Sequence, residues 1–133
     1  MGMSSDKTSV ILSSFGFKYG IPQDSDYVLD VRFLPNPNYI EDLHALSGKD
    51  YAVQKYLSGF ENLDTFIEKA ENLLDFVSSV YNSTGKQQIH IAIGCTGGRH
   101  RSVAVSEMLA VHLKKRGNNV ILDHRDIDKG NLL

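Results

Sequence analysis

Apolar residues along this chain fall into several short runs and one long periodic stripe. "TSVILSSF" (8–15) is a β-branched, apolar run closed by Gly16. "YVLDVRFL" (27–34) is a second, opened after "GIPQDSD" and stopped by the prolines of "PNPN". Both predict strands. Past an irregular helical turn over Tyr39 to Leu46, "SGKD" (47–50) starts a short helix, "YAVQKYL". Between 61 and 81, Leu63, Phe66, Ile67, Ala70, Leu73, Leu74, Val77, Val80 and Tyr81 recur at steps of three and four, which predicts a helix with this stripe in the core. "STGKQ" (83–87) ends it, with Gly85 available for a left-handed cap and Lys86 close to the negative end of the helix dipole. "QIHIAIG" then places Ile89, Ile91 and Ile93 on one strand face and His90 and Ala92 on the other. A second long helix, about 101–115, runs to the stop signal "KKRG", and "NVILDH" makes a last strand. Strand, long helix, strand, glycine loop, helix, strand is the order of a mainly parallel sheet flanked by helices in one α/β domain. Ligands of such sheets bind at the carboxyl ends of the strands.

Composition narrows the picture without changing it. A chain of 133 residues that is 41% hydrophobic and 23% charged can bury one real core, and one domain is expected. The net charge of -2 gives no global reason to expect nucleic acid, so any basic surface must be local. A single cysteine excludes an internal disulfide framework. The start "MGMSSDKTSV" lacks a secretory pattern, and no apolar run is long enough to cross a bilayer. A cytoplasmic protein is expected, with Met1 to Lys7 as a frayed polar end.

The chemistry concentrates in "GCTGGRHRS" (94–102), where a strand becomes a helix. A helix start leaves main-chain N–H groups unpaired, and anions are attracted to them. Gly97 and Gly98 let a ligand approach the main chain, Thr96 and Ser102 add hydroxyl donors, and Arg101 can fork two N–H bonds onto phosphate oxygens. These are the parts of a phosphate cradle, although neither a Walker loop nor a dinucleotide fingerprint is present. Cys95 and Arg101 stand five residues apart in the Cys-x5-Arg spacing that resembles cysteine-dependent phosphatases. Three readings of the loop stay open: non-covalent anion binding, phosphatase chemistry at Cys95 and Arg101, and a plain structural turn with Cys95 as a small buried apolar residue. Gly94 stands where those phosphatases usually have histidine, and no acid partner is specified among Asp24, Asp26, Asp30, Asp123 and Asp126.

"SFGFKYGIPQDSDYVLDVRFLPNPNY", "GCTGGRHRS" and "HRDIDK", in that order, closely resemble the C-terminal domain of the RapZ/YvcJ family of bacterial regulatory proteins, from about Val10 to Lys129. Members of that family carry an N-terminal P-loop domain ahead of this one, so the resemblance presents the chain as an excised domain or a stand-alone version. It implies a fold like a phosphofructokinase subdomain and a non-catalytic pocket that senses glucosamine-6-phosphate. It also implies coupling to small RNA or a regulatory protein, and self-association into a homo-oligomer. No cofactor is implied. Carried onto this sequence, the phosphate site falls on Thr96, Gly97, Gly98 and Arg101, with His100 and Ser102 adjoining. Asp30 and Arg32 could line the same pocket, the carboxylate facing the sugar's ammonium; the alternative is an ion pair or a hydrogen-bonded strand end. Asn38 departs from the family's histidine or tyrosine. The end "HRDIDKGNLL" lacks the family's dense basic tail, which leaves Lys114, Lys115, Arg116, Arg125 and Lys129 as the basic candidates for RNA. His44, His90 and His112 have no metal-ligand spacing to one another, and His124 could face the pocket.

Overall fold

The computed structural model describes residues 8–132. Met1–Lys7, expected to be a frayed end, lie outside the described residues. Four strands, β1 (Ser9–Gly16), β2 (Tyr27–Asp30), β3 (Gln88–Cys95) and β4 (Asn119–His124), form one sheet in the order β2-β3-β1-β4. Every pairing is parallel. Three helices flank it: α1 (Tyr51–Ser58), α2 (Glu61–Thr84) and α3 (Arg101–Lys115). This is the expected single α/β domain. Among the described residues no helix is long and apolar enough to cross a membrane.

The alternation read in β1 and β3 decides which face is covered. Val10, Leu12, Ile89, Ile91 and Ile93 join Val53 and Leu57 of α1, Leu63 and Leu74 of α2, and Leu109 and Leu113 of α3 in one buried cluster. Burying a side chain of this size contributes roughly 1.5–3 kcal/mol. The connection from β1 to β2 uses the other face, where a side chain on Gly94 would collide with the rings of Phe15 and Phe17.

Two boundaries and one helix face differ from the sequence pattern. The second apolar run leaves the sheet after Asp30 rather than at 34, because Val31 and Leu34 turn into the core. α2 continues to Thr84, where Gly85 takes the left-handed cap with φ 78°. Its stripe is also narrower than expected: Leu73 and Val80 are exposed, as is Phe76, whereas Leu63, Ala70, Leu74 and Val77 are buried.

The sheet order opens a crevice. From β1 the chain crosses to β2 on one side, and from β3 it crosses to β4 on the other, although β1 and β3 are neighbours. Their following loops therefore diverge and leave a crevice above the carboxyl ends. At its floor the loop after β3 rests on the end of β1. A Cβ on Gly98 would lie 2.5 Å from the Gly16 nitrogen, and Gly98 has φ +79°. Gly97 meets nothing within 4 Å where its Cβ would stand. Gly98→Ala should lower unfolding stability by about 2–4 kcal/mol through backbone strain and overlap. Gly97→Ala should leave the urea midpoint almost unchanged; equal losses in both variants would contradict this packing.

Candidate functional site

The crevice is a cavity of about 250 Å³ with Lys18, Tyr19, Asn36, Asn38, Tyr39, Cys95, Thr96, Gly97, Arg99, His100, Arg101 and Gly130 around it. Lys18 and Tyr19 come from the 3₁₀ turn Phe17–Tyr19 directly after β1. The Lys18 N–H bonds the carbonyl of Thr96 at 3.2 Å, tying the two loops together. Asn38 and Tyr39 belong to a second 3₁₀ turn, Pro37–Tyr39, capped by the Asn36 side chain accepting from the Asn38 N–H.

Arg101 is the centre of the site. The first residue of α3, it is 5% exposed, and its guanidinium is divided between two tasks. Nη1 donates to the carbonyls of Arg32 at 3.0 Å and Leu34 at 2.9 Å, which holds the chain beyond β2 against the helix start. Nη2 donates to Thr96 Oγ1 at 3.4 Å, and Nε is buried without any hydrogen-bond partner. Leaving a charged donor's N–H buried and unpaired costs on the order of 1–3 kcal/mol. The loop's main chain shows the same imbalance. The carbonyls of Thr96, Arg99 and His100 accept from Lys18, Gly48 and Ala104, whereas the N–H groups of 96–100 meet no protein acceptor among the described residues.

Two further groups hold the loop from behind. Arg99 donates from Nε to the carbonyl of Leu46, from Nη1 to Ile127 and from Nη2 to Ala45, at 2.6–2.9 Å. Asp126, fully buried, accepts from the Gly16 N–H at 2.8 Å and from the side chains of Arg125 and Lys129. Burial pushes its carboxyl up, but the hydrogen bonds from Arg125, Gly16 and Lys129 outweigh that and hold it below the ordinary range.

The other sequence candidates are placed as follows. Thr96, Gly97, His100, Arg101 and Asn38 reach the cavity, and Gly98 lies beneath it on Gly16. Ser102 is buried behind it and accepts from the Cys95 thiol, 3.1 Å apart. Asp30 and Arg32 are not in the wall. They form an exposed ion pair at 2.8 Å with the guanidinium stacked on Phe17, 3.9 Å from the ring centroid. The hydrogen bond from Arg32 pulls the Asp30 carboxyl down. His124 faces away from the cavity, between Ser14 Oγ and Glu107, each 2.7 Å off. His90 pairs with Ser13 and Asp24, and His112 links Glu71 and Asp75 of α2 to α3. Among the described residues no group of three or more His, Cys, Asp or Glu could hold a metal ion.

The basic candidates divide into two places. Lys114, Lys115 and Arg116 stand at the far end of α3, a helix of 15 residues and so about 22 Å long. Arg125 and Lys129 stand at the cavity end, turned onto Asp126. Sequence reasoning did not single out Lys18, Tyr19, Asn36, Tyr39, Arg99 or Gly130. Their signal was only the company they keep in "FGFKYG", "PNPNY" and the cation-rich glycine loop.

His100, 6% exposed, is in the cavity wall with Nε2 at 3.1 Å from the carbonyl of His44. Burial pushes its pKa below the ordinary 6.5, hydrogen bonding to His44 opposes the shift, and the charge of Arg99 adds to it. The folded chain therefore takes up this proton less readily than the unfolded chain, and stability falls as pH drops below that value. His100→Gln should flatten the acid side of a urea-stability profile while leaving the neutral side nearly level. An unchanged acid slope would show that His100 does not carry this dependence.

Comparison with known proteins shows the family. The family described as the RapZ C-terminal domain matches residues 8–128. A nucleotide-binding protein of Clostridium botulinum (strain Hall) is 52% identical over 120 residues, 90% of this chain and 41% of that protein. A nucleotide-binding protein of Acetivibrio thermocellus is 50% identical over 128 residues, 96% of this chain and 44% of that protein. One of Clostridium kluyveri is 48% identical over the same length. The chain thus spans about two fifths of the length of these curated relatives. With the family model matched over residues 8–128 and relatives about half identical over most of its length, the chain belongs to the RapZ C-terminal domain family.

Proposed function

We propose that this domain is a non-catalytic binding module that seats a phosphorylated small molecule, a sugar phosphate such as glucosamine-6-phosphate, between the loops after β1 and β3. The observation that carries the reading is the buried, partnerless Nε–H of Arg101 at a cavity wall. Nε–H and the neighbouring Nη2–H form one edge of a planar fork, the geometry that matches two phosphate oxygens. Because Nη1 is already bonded to two carbonyls, little side-chain freedom remains to be lost on binding. Unpaired amides at the start of α3 add a favourable field for negative charge.

The cavity, about 250 Å³, lies just below the usual range of ligand sites, about 300 to 1,000 Å³. That favours a monosaccharide phosphate over the nucleotide in the relatives' printed name. Occupancy has a route outward. Gly130 is in the wall, and the segment before it is tied through Asp126 to Gly16. Coupling along that segment to a regulatory protein or to RNA is part of the proposal.

The phosphatase alternative rests on Cys95 and Arg101. Their site has the thiol bonded to Ser102, and no aspartate or glutamate is among the described lining residues to protonate a leaving group. Binding without turnover is therefore the leading reading.

Calorimetry with glucosamine-6-phosphate, inorganic phosphate and ATP tests it. The sugar phosphate should bind more tightly than ATP, and Arg101→Lys should weaken it about tenfold or more by removing the fork while keeping the charge. Gly97→Ala, whose methyl projects into open space, should also weaken it with the fold intact. Affinity unchanged in both variants would place any ligand elsewhere. Hydrolysis of a chromogenic phosphate ester that vanishes in Cys95→Ser would replace binding by catalysis.

A further inference from the structure

Among the described residues His100 is the one histidine in the cavity wall, and its ring stands between opposing demands. A carbonyl can only accept, so the contact of Nε2 with the carbonyl of His44, at 3.1 Å, places the proton of the neutral ring on Nε2 and the lone pair on Nδ1. Burial disfavours the charged ring and outweighs the carbonyls of His44, Leu43 and Leu46, which favour it; the charge of Arg99 adds to the burial. Lys18 and Arg101 bring further positive charge to the same wall, and His100 is itself the N-cap of α3, at the positive end of the helix. No aspartate or glutamate in the described wall offsets them. Tyr19, Tyr39 and Cys95 are its other titratable side chains, of types that lose a proton in alkaline solution.

An anion in the cavity reverses this balance. Its field opposes those of Lys18, Arg99 and Arg101 while the carbonyls stay in place, so a ring that is supplied with acceptors yet kept neutral is driven to charge. We propose that His100 couples occupancy of the cavity by an anion to the uptake of one proton from solvent at Nδ1, so that the seat fills more readily in mild acid. The coupling is reciprocal: the factor by which the anion strengthens proton binding is the factor by which the proton strengthens anion binding. The other histidines nearby are placed elsewhere. His124 is held between Ser14 and Glu107 away from the cavity, and the His44 side chain is exposed and outside the wall. The inference rests on the anion seat proposed above and adds its regulation by pH.

Sulfate is the probe, because it stays a dianion between about pH 5.5 and 7.5, where histidine titrates, and any pH dependence then comes from the protein. Calorimetry on the full chain should show affinity for sulfate rising at least about tenfold from the upper to the lower pH. Proton uptake should appear as a difference in binding heat between buffers of unlike ionisation heat. In nuclear magnetic resonance, the ring of His100 should titrate at a higher pH with sulfate bound than without it. His100→Gln, which keeps a donor for the His44 carbonyl, should flatten the pH profile. Saturable sulfate binding of the same affinity at every pH would overturn the inference and leave the seat standing. So would a slope that persists in His100→Gln, or a His100 titration unmoved by sulfate. Absence of sulfate binding at every pH would instead remove the seat, and the inference with it.

Discussion

Everything at the crevice end of this fold depends on one contact of main chain with main chain, where the loop after β3 lies on the last residue of β1. A Cβ at Gly98 would stand 2.5 Å from the Gly16 nitrogen, and one at Gly16 would stand 2.6 Å from the carbonyl carbon of Gly97. No side chain separates the two segments. The Gly16 N–H, which a neighbouring strand would otherwise satisfy, is taken by the buried carboxylate of Asp126. Three distant parts of the chain, the ends of β1 and β3 and the turn after β4, thereby become one rigid floor.

That floor fixes the direction of α3, and so of Arg101. The guanidinium has a structural half and a half in which Nη2 reaches Thr96 and Nε is unpaired. Two carbonyls beyond β2 hold Nη1, and Nε has nothing. A buried donor without a partner works against folding, and proteins retain such groups where something else supplies the acceptor. The same charge held in place by carbonyls explains why Arg99 belongs to the wall without being available. Each of its three nitrogens is engaged, by Leu46, Ile127 and Ala45, so it is anchored behind the loop and adds positive field to the wall.

How much of this was legible follows from what kind of interaction made each feature. Elements set by local periodicity could be read: β1, β3 and β4, the long helix with its Gly85 cap, and the helix beginning at Arg101. The glycine loop announced itself because its composition is unlike its flanks. The end of β2 could not be read, since Arg101 acts on Arg32 and Leu34 across 69 and 67 residues of sequence. Nor could the outward face of α2, where Leu73, Phe76 and Val80 satisfy a helical pattern and are exposed all the same. A pattern fixes which residues share a side of a helix but not how wide the contact with the sheet becomes. Lys18 and Tyr19 enter the wall only because β1 and β3 are neighbours, a fact of sheet order. Asp30 and Arg32 looked like pocket residues because they end a strand, but at two residues' separation they satisfy each other first.

The most direct measurement is the nuclear magnetic resonance signal of the Arg101 side-chain Nε–H during titration with inorganic phosphate, followed together with the main-chain amides of 97–101. The account predicts that these signals shift together and saturably, with the Nε–H becoming protected from exchange. Saturable shifts confined to other residues, with the Arg101 Nε–H unmoved, would contradict it.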